Sequence, residues 1–212
     1  SLGLLIATGF SICGLLAIAA MKPLSGADDE EVGYALGLVT LFGSLSVVIL
    51  PLLQLIFDLG SSDFGWWVGL AVHDTGQVVA TASIDSDKAL DAAVLVKMAR
   101  ILMLAPILIG VSFLRNEKRP DHKRRYRIIP MFIIGFLAAA TLRSLDVFSD
   151  QVIEAIGDIR SFFIASAMFG LGAGVQLKAL SSLGGRPLVF GLVSWLLIVM
   201  FAGIGVLLNT QF

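Results

Sequence analysis

Long apolar stretches separated by short polar segments run through the whole chain. Seven of them can be distinguished, at residues 1–21, 31–57, 64–84, 89–114, 128–148, 151–177 and 187–208. Most contain the ~20 residues that an α-helix needs to cross a bilayer. The pattern predicts an all-α, polytopic membrane protein with about seven transmembrane segments.

The composition supports this prediction. Hydrophobic residues make up 57% of the chain and the mean hydropathy is +0.93, whereas soluble domains contain about 45–50% apolar residues. The single cysteine, Cys13, excludes an intrachain disulfide. The chain opens inside an apolar run and without an initiator methionine, and we therefore expect it to be an N-terminally truncated piece of a longer protein.

The first apolar stretch contains a weak point for a helix, Thr8-Gly9-Phe10-Ser11-Ile12-Cys13-Gly14. Glycine costs a helix about 0.5–1 kcal/mol relative to alanine, and the serine and cysteine add polarity. Irregular backbone at membrane depth is tolerated only where protein or a water-filled cavity surrounds it. The sequence therefore predicts a broken helix here, and a binding site around the break.

A weak internal repeat relates the first stretch to the sixth. Gly14 and Lys22 are eight residues apart, as are Gly170 and Lys178. The two copies lie five stretches apart, so they would cross the membrane in opposite directions, as the repeats of inverted-repeat transporters do. The alternative is that the small residues only allow helices to pack closely.

The repeat predicts a division of the chain within a 5+5 inverted-repeat fold. Residues 1–62 would be the last two helices of the first repeat, and residues 63–212 the complete second repeat. Two crossed discontinuous helices, at 1–21 and 151–177, would face each other near the middle of the membrane.

Charge predicts the sidedness. Residues 115–127 carry seven of the 15 lysines and arginines and only two acids, which predicts a cytoplasmic loop of an inner-membrane protein; a nucleic-acid patch is a less favoured alternative. Counting crossings from that loop puts residues 22–30, 85–88 and 146–150, which are mostly acidic, on the opposite face.

Two further groups of polar residues fall inside apolar stretches. His73-Asp74-Thr75-Gly76-Gln77 lies at the centre of residues 64–84, where polar side chains are costly unless they face one another or water. Lys97 and Arg100 are three residues apart, on one face of a helix. Snorkelling of these long side chains to the interface is the alternative.

These groups favour an anion as the ligand. An unwound helix offers free amides and a positive dipole end, and Lys97 and Arg100 would add positive charge. Asp74 and His73 are candidates for carrying a coupling Na⁺ or H⁺, although His73 could equally be structural. The predicted substrate-binding residues are Gly9, Ser11, Cys13, Gly14, His73, Gln77, Lys97 and Arg100.

Metal binding and catalysis are poorly supported. Cys13 and His73 lack two further well-spaced metal ligands. The adjacent His73 and Asp74 would point in different directions on a helix, which argues against a catalytic triad with Ser11 or Cys13. We predict neither a cofactor nor an enzymatic activity.

Four motifs resemble the YeiH-like family of bacterial inner-membrane proteins, whose members carry the label of sulphate exporters. The matching stretches are Gly9-Phe-Ser-Ile-Cys-Gly14, Val72-His-Asp-Thr-Gly-Gln-Val-Val79, Val96-Lys-Met-Ala-Arg100 and Ala167-Met-Phe-Gly-Leu-Gly172. The resemblance implies a plan similar to that of bile-acid and sodium/proton transporters, with crossed broken helices. A common form of the second motif has glutamate and alanine in place of Asp74 and Gly76.

The function predicted from residues and resemblance together is a secondary transporter for a small anion, sulphate or organosulphonate-like, that works by alternating access. The alternatives are a sodium- or proton-coupled organic anion symporter and a non-transporting membrane scaffold. The expected partners are the anion, Na⁺ or H⁺, and the lipid bilayer, with a homodimer as a further option and no nucleic acid.

Overall fold

The computed structural model describes residues 1–114 and 185–209 and isolated positions between 135 and 166. The regular elements of the two continuous parts are helices, as the apolar pattern predicts. They are α1 (Leu2–Ser11), α2 (Leu15–Ser25), α3 (Asp29–Phe57), α4 (Ser61–Ala71), α5 (Thr75–Ala82), α6 (Asp87–Leu102), α7 (Leu104–Leu114) and α8 (Gly185–Asn209).

Three helical segments of the described chain are long and apolar enough to cross a membrane: Asp29–Phe57, Asp87–Leu114 and Gly185–Leu208. The first, α3, starts with a capping box, in which Asp28 accepts from the Glu31 amide and Glu31 accepts in return from the Asp28 amide. We call the end of the molecule where α3 begins the Asp28 end, and the end where it finishes the Asp58 end.

Helices α1 and α2 form a hairpin that enters from the Asp28 end. The amide of Leu2 donates to Glu31 at 3.2 Å, so α1 starts beside the first turn of α3. Lys22 in the last turn of α2 pairs with Asp29, so α2 finishes there too. At 1.5 Å per residue these helices of 10 and 11 residues each span about half of the ~30 Å hydrocarbon core. The chain therefore reverses at residues 12–14.

Helices α4 and α5 form a second hairpin, which enters from the Asp58 end. Asp85, just after α5, accepts from Gln54 Nε2 near the end of α3 at 2.6 Å, and it is also hydrogen-bonded to Ser61 at the start of α4. Both ends of this hairpin therefore lie together. Its tip, residues 72–74, reaches back to the tip of the first hairpin.

The order of elements in residues 1–57 is repeated in residues 61–114. Each part is a hairpin followed by a long helical segment, and the two parts run in opposite directions. This inverted relation is not the predicted one, which pairs Gly14 and Lys22 with Gly170 and Lys178. Gly170 and Lys178 lie outside the described residues, so the predicted repeat stays a prediction. Gly172 and Gly174, which mark the second predicted broken helix, lie outside them as well.

The hairpins correct two predictions. Residues 1–21 and 64–84 do not form single spanning helices; each stretch contains two short helices and reverses direction between them. Residues 22–30 and 85–88 therefore lie at opposite ends of the molecule, not on one face. Because α7 packs along α2, Leu114 lies at the same end as residues 22–30. The basic loop of residues 115–127 lies outside the described residues, so its predicted side stays a prediction.

Close packing at glycine fixes the second hairpin against α6. A Cβ atom on Gly65 would lie 2.3 Å from the carbonyl oxygen of Ala89, and one on Gly69 would lie 2.7 Å from that of Ala93. On the other side of the hairpin, Trp67 Nε1 donates to the carbonyl oxygen of Val199 in α8 at 2.9 Å. The hairpin is thus held between α6 and α8.

We expect Gly65→Ala to lower the free energy of unfolding by about 1–3 kcal/mol, because the added methyl group must push α4 away from α6. Gly33→Ala is the matched control, since Gly33 is an exposed glycine of α3 with no atom within 4 Å of an added Cβ. Thermal unfolding of the full-length protein in detergent, followed by tryptophan fluorescence, measures both. Equal stability of the two variants would contradict the close approach.

Candidate functional site

The first hairpin tip lies inside the interruption that the sequence predicts. Helix α1 ends at Ser11 and α2 starts at Leu15. Gly14 takes a φ of 65°, a conformation that favours glycine, and a Cβ there would lie 2.9 Å from Val39 Cγ1. A larger residue would therefore be both strained and crowded at this position.

The second tip lies at the polar group of residues 73–77. Asp74 is the N-cap of α5: its Oδ1 accepts from the Gly76 amide at 2.9 Å, and its own amide donates to Gln77 Oε1 at 3.4 Å. An acid followed three residues later by glutamine is a capping signature. This pair is the sequence signal for the start of α5, which lies inside one continuous stretch of the hydropathy pattern.

Lys97 of α6 lies at the junction of the two tips. Its side chain is fully buried, and Nζ donates to the carbonyl oxygens of Ile12 at 2.8 Å and Val72 at 2.9 Å, and also to that of His73. These contacts exclude snorkelling to the interface. One ammonium group thus joins both hairpins.

Arg100, one turn further along α6, also reaches both hairpins. Its guanidinium donates to Phe10 O at 2.9 Å and Ser11 O at 3.1 Å at the end of α1. It also donates to the carbonyl oxygens of α4 and its C-cap, at 2.9 Å for Gly69, 2.6 Å for Leu70 and 3.2 Å for Val72. The positive group therefore lies at the negative ends of two helices.

His73 is buried against the first hairpin. Its ring packs on that of Phe10, with centroids 4.2 Å apart, and Nδ1 lies 3.2 Å from the Phe10 carbonyl oxygen. A carbonyl oxygen can only accept, so Nδ1 carries the hydrogen. His73 Nε2 is a buried nitrogen without a hydrogen-bond partner in the described part of the chain.

Gln77 ties α5 to α3. Its Nε2 donates to Thr40 O at 3.2 Å and to Ser44 Oγ at 3.4 Å. The amide fills the space above Gly43, where a Cβ would lie 1.8 Å from Gln77 Oε1. The polar atoms of Gln77 thus bond to the protein, which gives this predicted site residue a structural contact.

The remaining predicted site residues differ in their exposure to solvent. Ser11 is exposed and Cys13 is buried. Gly9 lies one turn before the tip, where a Cβ would be 2.8 Å from Ile18 Cδ1. Asp74 is half-buried, and its Oδ2 lies 3.7 Å from the position of a Cβ on Gly14. The structure therefore brings the predicted residues together, although they do not all face one opening.

Comparison with known proteins identifies the family. The family model described as Conserved hypothetical protein 698 matches residues 1–191. The chain belongs to this family. Its relatives include a UPF0324 membrane protein of Corynebacterium glutamicum, 39% identical over 209 residues, which cover 97% of this chain and 60% of the relative.

Two further UPF0324 membrane proteins show the same relation. That of Pseudomonas aeruginosa is 38% identical over 207 residues, 92% of this chain and 58% of the relative. That of Bradyrhizobium diazoefficiens is 37% identical over 189 residues, 87% of this chain and 54% of the relative. The predicted family is confirmed, and the chain spans less than two thirds of these curated relatives. No solved structure matches.

Arg100→Gln is expected to lower the free energy of unfolding of the UPF0324 protein by about 3 kcal/mol or more, since each buried carbonyl left unpaired costs about 1–3 kcal/mol. Arg100→Lys should recover only part of the loss, because an ammonium group lacks the guanidinium fork. The exposed Arg186 of α8 provides the control, Arg186→Gln. If Arg100→Gln has the same thermal midpoint as the control, these carbonyl contacts do not contribute to the stability of the protein.

Proposed function

We propose that this family member is part of a secondary transporter for a small anion, such as sulphate or an organosulphonate, in the bacterial inner membrane. The observation that carries the proposal is the meeting of two hairpin tips, inserted from opposite ends, at the middle of the spanning helices. Interrupted helices at this depth form the substrate sites of many transporters. The non-transporting scaffold is the alternative that the experiment below tests.

The charge of the junction favours an anion. Both tips contain one helix C-terminus and one helix N-terminus, so the partial charges of the four helix ends cancel. Among the described side chains around the tips, Lys97 and Arg100 are basic and Asp74 is acidic. The junction therefore has a net charge of about +1, which attracts a negatively charged solute.

The N-terminus of α2 is the part of the junction best suited to contact the anion. Gly14, its N-cap, provides no side-chain acceptor for the first-turn amides, whereas the amides of α5 are capped by Asp74. The tip is open here: the side chains of Leu15 and Leu16 are 56% and 42% exposed, and Ser11 is exposed beside them. Ser11 Oγ and the amides of Leu15 and Leu16 would bind the anion directly, while Lys97 and Arg100 would act through their charge.

The same arrangement supports alternating access and an inverted-repeat plan. Each hairpin closes the junction from one end of the membrane, so movement of both hairpins together with α6, relative to α3 and α8, would expose the tips to one side at a time. The repeating unit would then be a hairpin followed by a spanning helix. It would replace the five-helix unit that the sequence predicts. Asp74 and His73 remain our candidates for coupling, since both lie at the second tip.

The test is anion uptake into proteoliposomes that contain the full-length protein, with sulphate, thiosulphate, isethionate and chloride as the panel. For the anion that is transported, we expect Ser11→Ala to raise KM about tenfold, because a hydrogen bond to a charged group contributes about 1.5–3 kcal/mol. Ser62→Ala, at the opposite end of α4, is the control and should leave KM unchanged.

Two results would count against the proposal. If no anion of the panel is taken up above empty vesicles, the scaffold alternative is favoured. If an anion is taken up and Ser11→Ala and Ser62→Ala behave alike, the anion does not bind at the first tip.

A further inference from the structure

The three oxygens around Lys97 Nζ form a cage of groups that can also coordinate a monovalent metal cation. All three are backbone carbonyls, and they come from both hairpin tips: Ile12 O at 2.8 Å, Val72 O at 2.9 Å, and His73 O. Carbonyls at unwound segments and at the C-terminal ends of half-helices are the groups that coordinate Na⁺ in many transporters. In this chain the centre of the cage is filled by a side chain.

The number of carbonyl contacts favours the charged form of Lys97. A carbonyl oxygen only accepts, so three carbonyl contacts need three N–H donors, which –NH₃⁺ has and neutral –NH₂ lacks. In the part of the chain that the structure describes, no carboxylate forms an ion pair with this group. The carbonyl dipoles therefore balance the buried charge.

We infer that the carbonyl cage at the junction of the hairpin tips is a monovalent-cation site that the Lys97 ammonium occupies permanently, as a tethered substitute for a free ion. The site holds the tips together without Na⁺. Removal of the side chain beyond Cβ should uncover a cage that binds Na⁺ or a small primary ammonium ion. The inference concerns cation binding and goes beyond the proposed anion transport.

The test compares Lys97→Ala with the wild type, both as full-length protein in detergent with choline chloride as the background salt. n-Propylammonium has the same heavy atoms as the part of lysine that the substitution removes. We expect it to raise the thermal midpoint of Lys97→Ala saturably, by about 5 °C at about 100 times its Kd. Na⁺ should give a smaller saturable rise, and the wild type should respond to neither ion.

Three controls sharpen the comparison. Tetramethylammonium, which has no N–H donor and is too bulky for the cage, should not stabilise Lys97→Ala. Lys88→Ala removes an exposed lysine of the same helix and should behave as the wild type. Lys97→Met fills the space without charge, and it should be less stable than the wild type and insensitive to added cations.

The inference fails if folded Lys97→Ala responds to no cation, or if wild type and variant respond equally. Where Lys97→Ala cannot be recovered folded, Lys97→Met decides: stability equal to the wild type would show that the cage needs no positive charge. The readout is stability and not uptake, so an absence of transport would leave this result intact.

Discussion

The backbone carbonyls that two broken helices expose at membrane depth are the constraint on which this structure depends. Lipid provides no hydrogen-bond donor, so a helix cannot end there unless protein groups take the place of water. Lys97 and Arg100 together donate to seven different carbonyl oxygens, with that of Val72 shared between them. Two adjacent turns of α6 thus allow both hairpins to exist.

The four helix ends at the junction are capped by different groups, and this difference gives the site its polarity. The C-terminal ends of α1 and α4 share the cations of α6. The N-terminal end of α5 is capped by Asp74. The N-terminal end of α2 has only Gly14 as its cap and opens beside the exposed Ser11. A positive end without a side-chain cap, next to a buried positive charge, is chemically suited to an anion.

The sequence predicts where the first helix breaks, but it does not predict the path of the chain. The glycines at 9 and 14 identified the first break, because their effect on a helix is local. The reversal at that break depends on contacts such as that of Leu2 with Glu31, which joins residues 29 positions apart. The hydropathy pattern does not indicate such contacts. The spacing of Lys97 and Arg100 correctly placed them on one face, but their acceptors are backbone atoms, which every residue type provides.

The cost of separating the tips limits how access to the site can change. Movement of either hairpin away from α6 would leave several buried carbonyls unpaired, at about 1–3 kcal/mol each. At the tips and along α4, the hydrogen bonds to the neighbouring spans are two from Gln77 to α3 and one from Trp67 to α8. The contacts of Leu2, Lys22 and Asp85 with α3 lie at the ends of the molecule, where water can replace them. A conformational change is therefore cheapest if both tips and α6 move as one body relative to α3 and α8. An anion bound at the tips would then travel with the junction and would not pass between the hairpins.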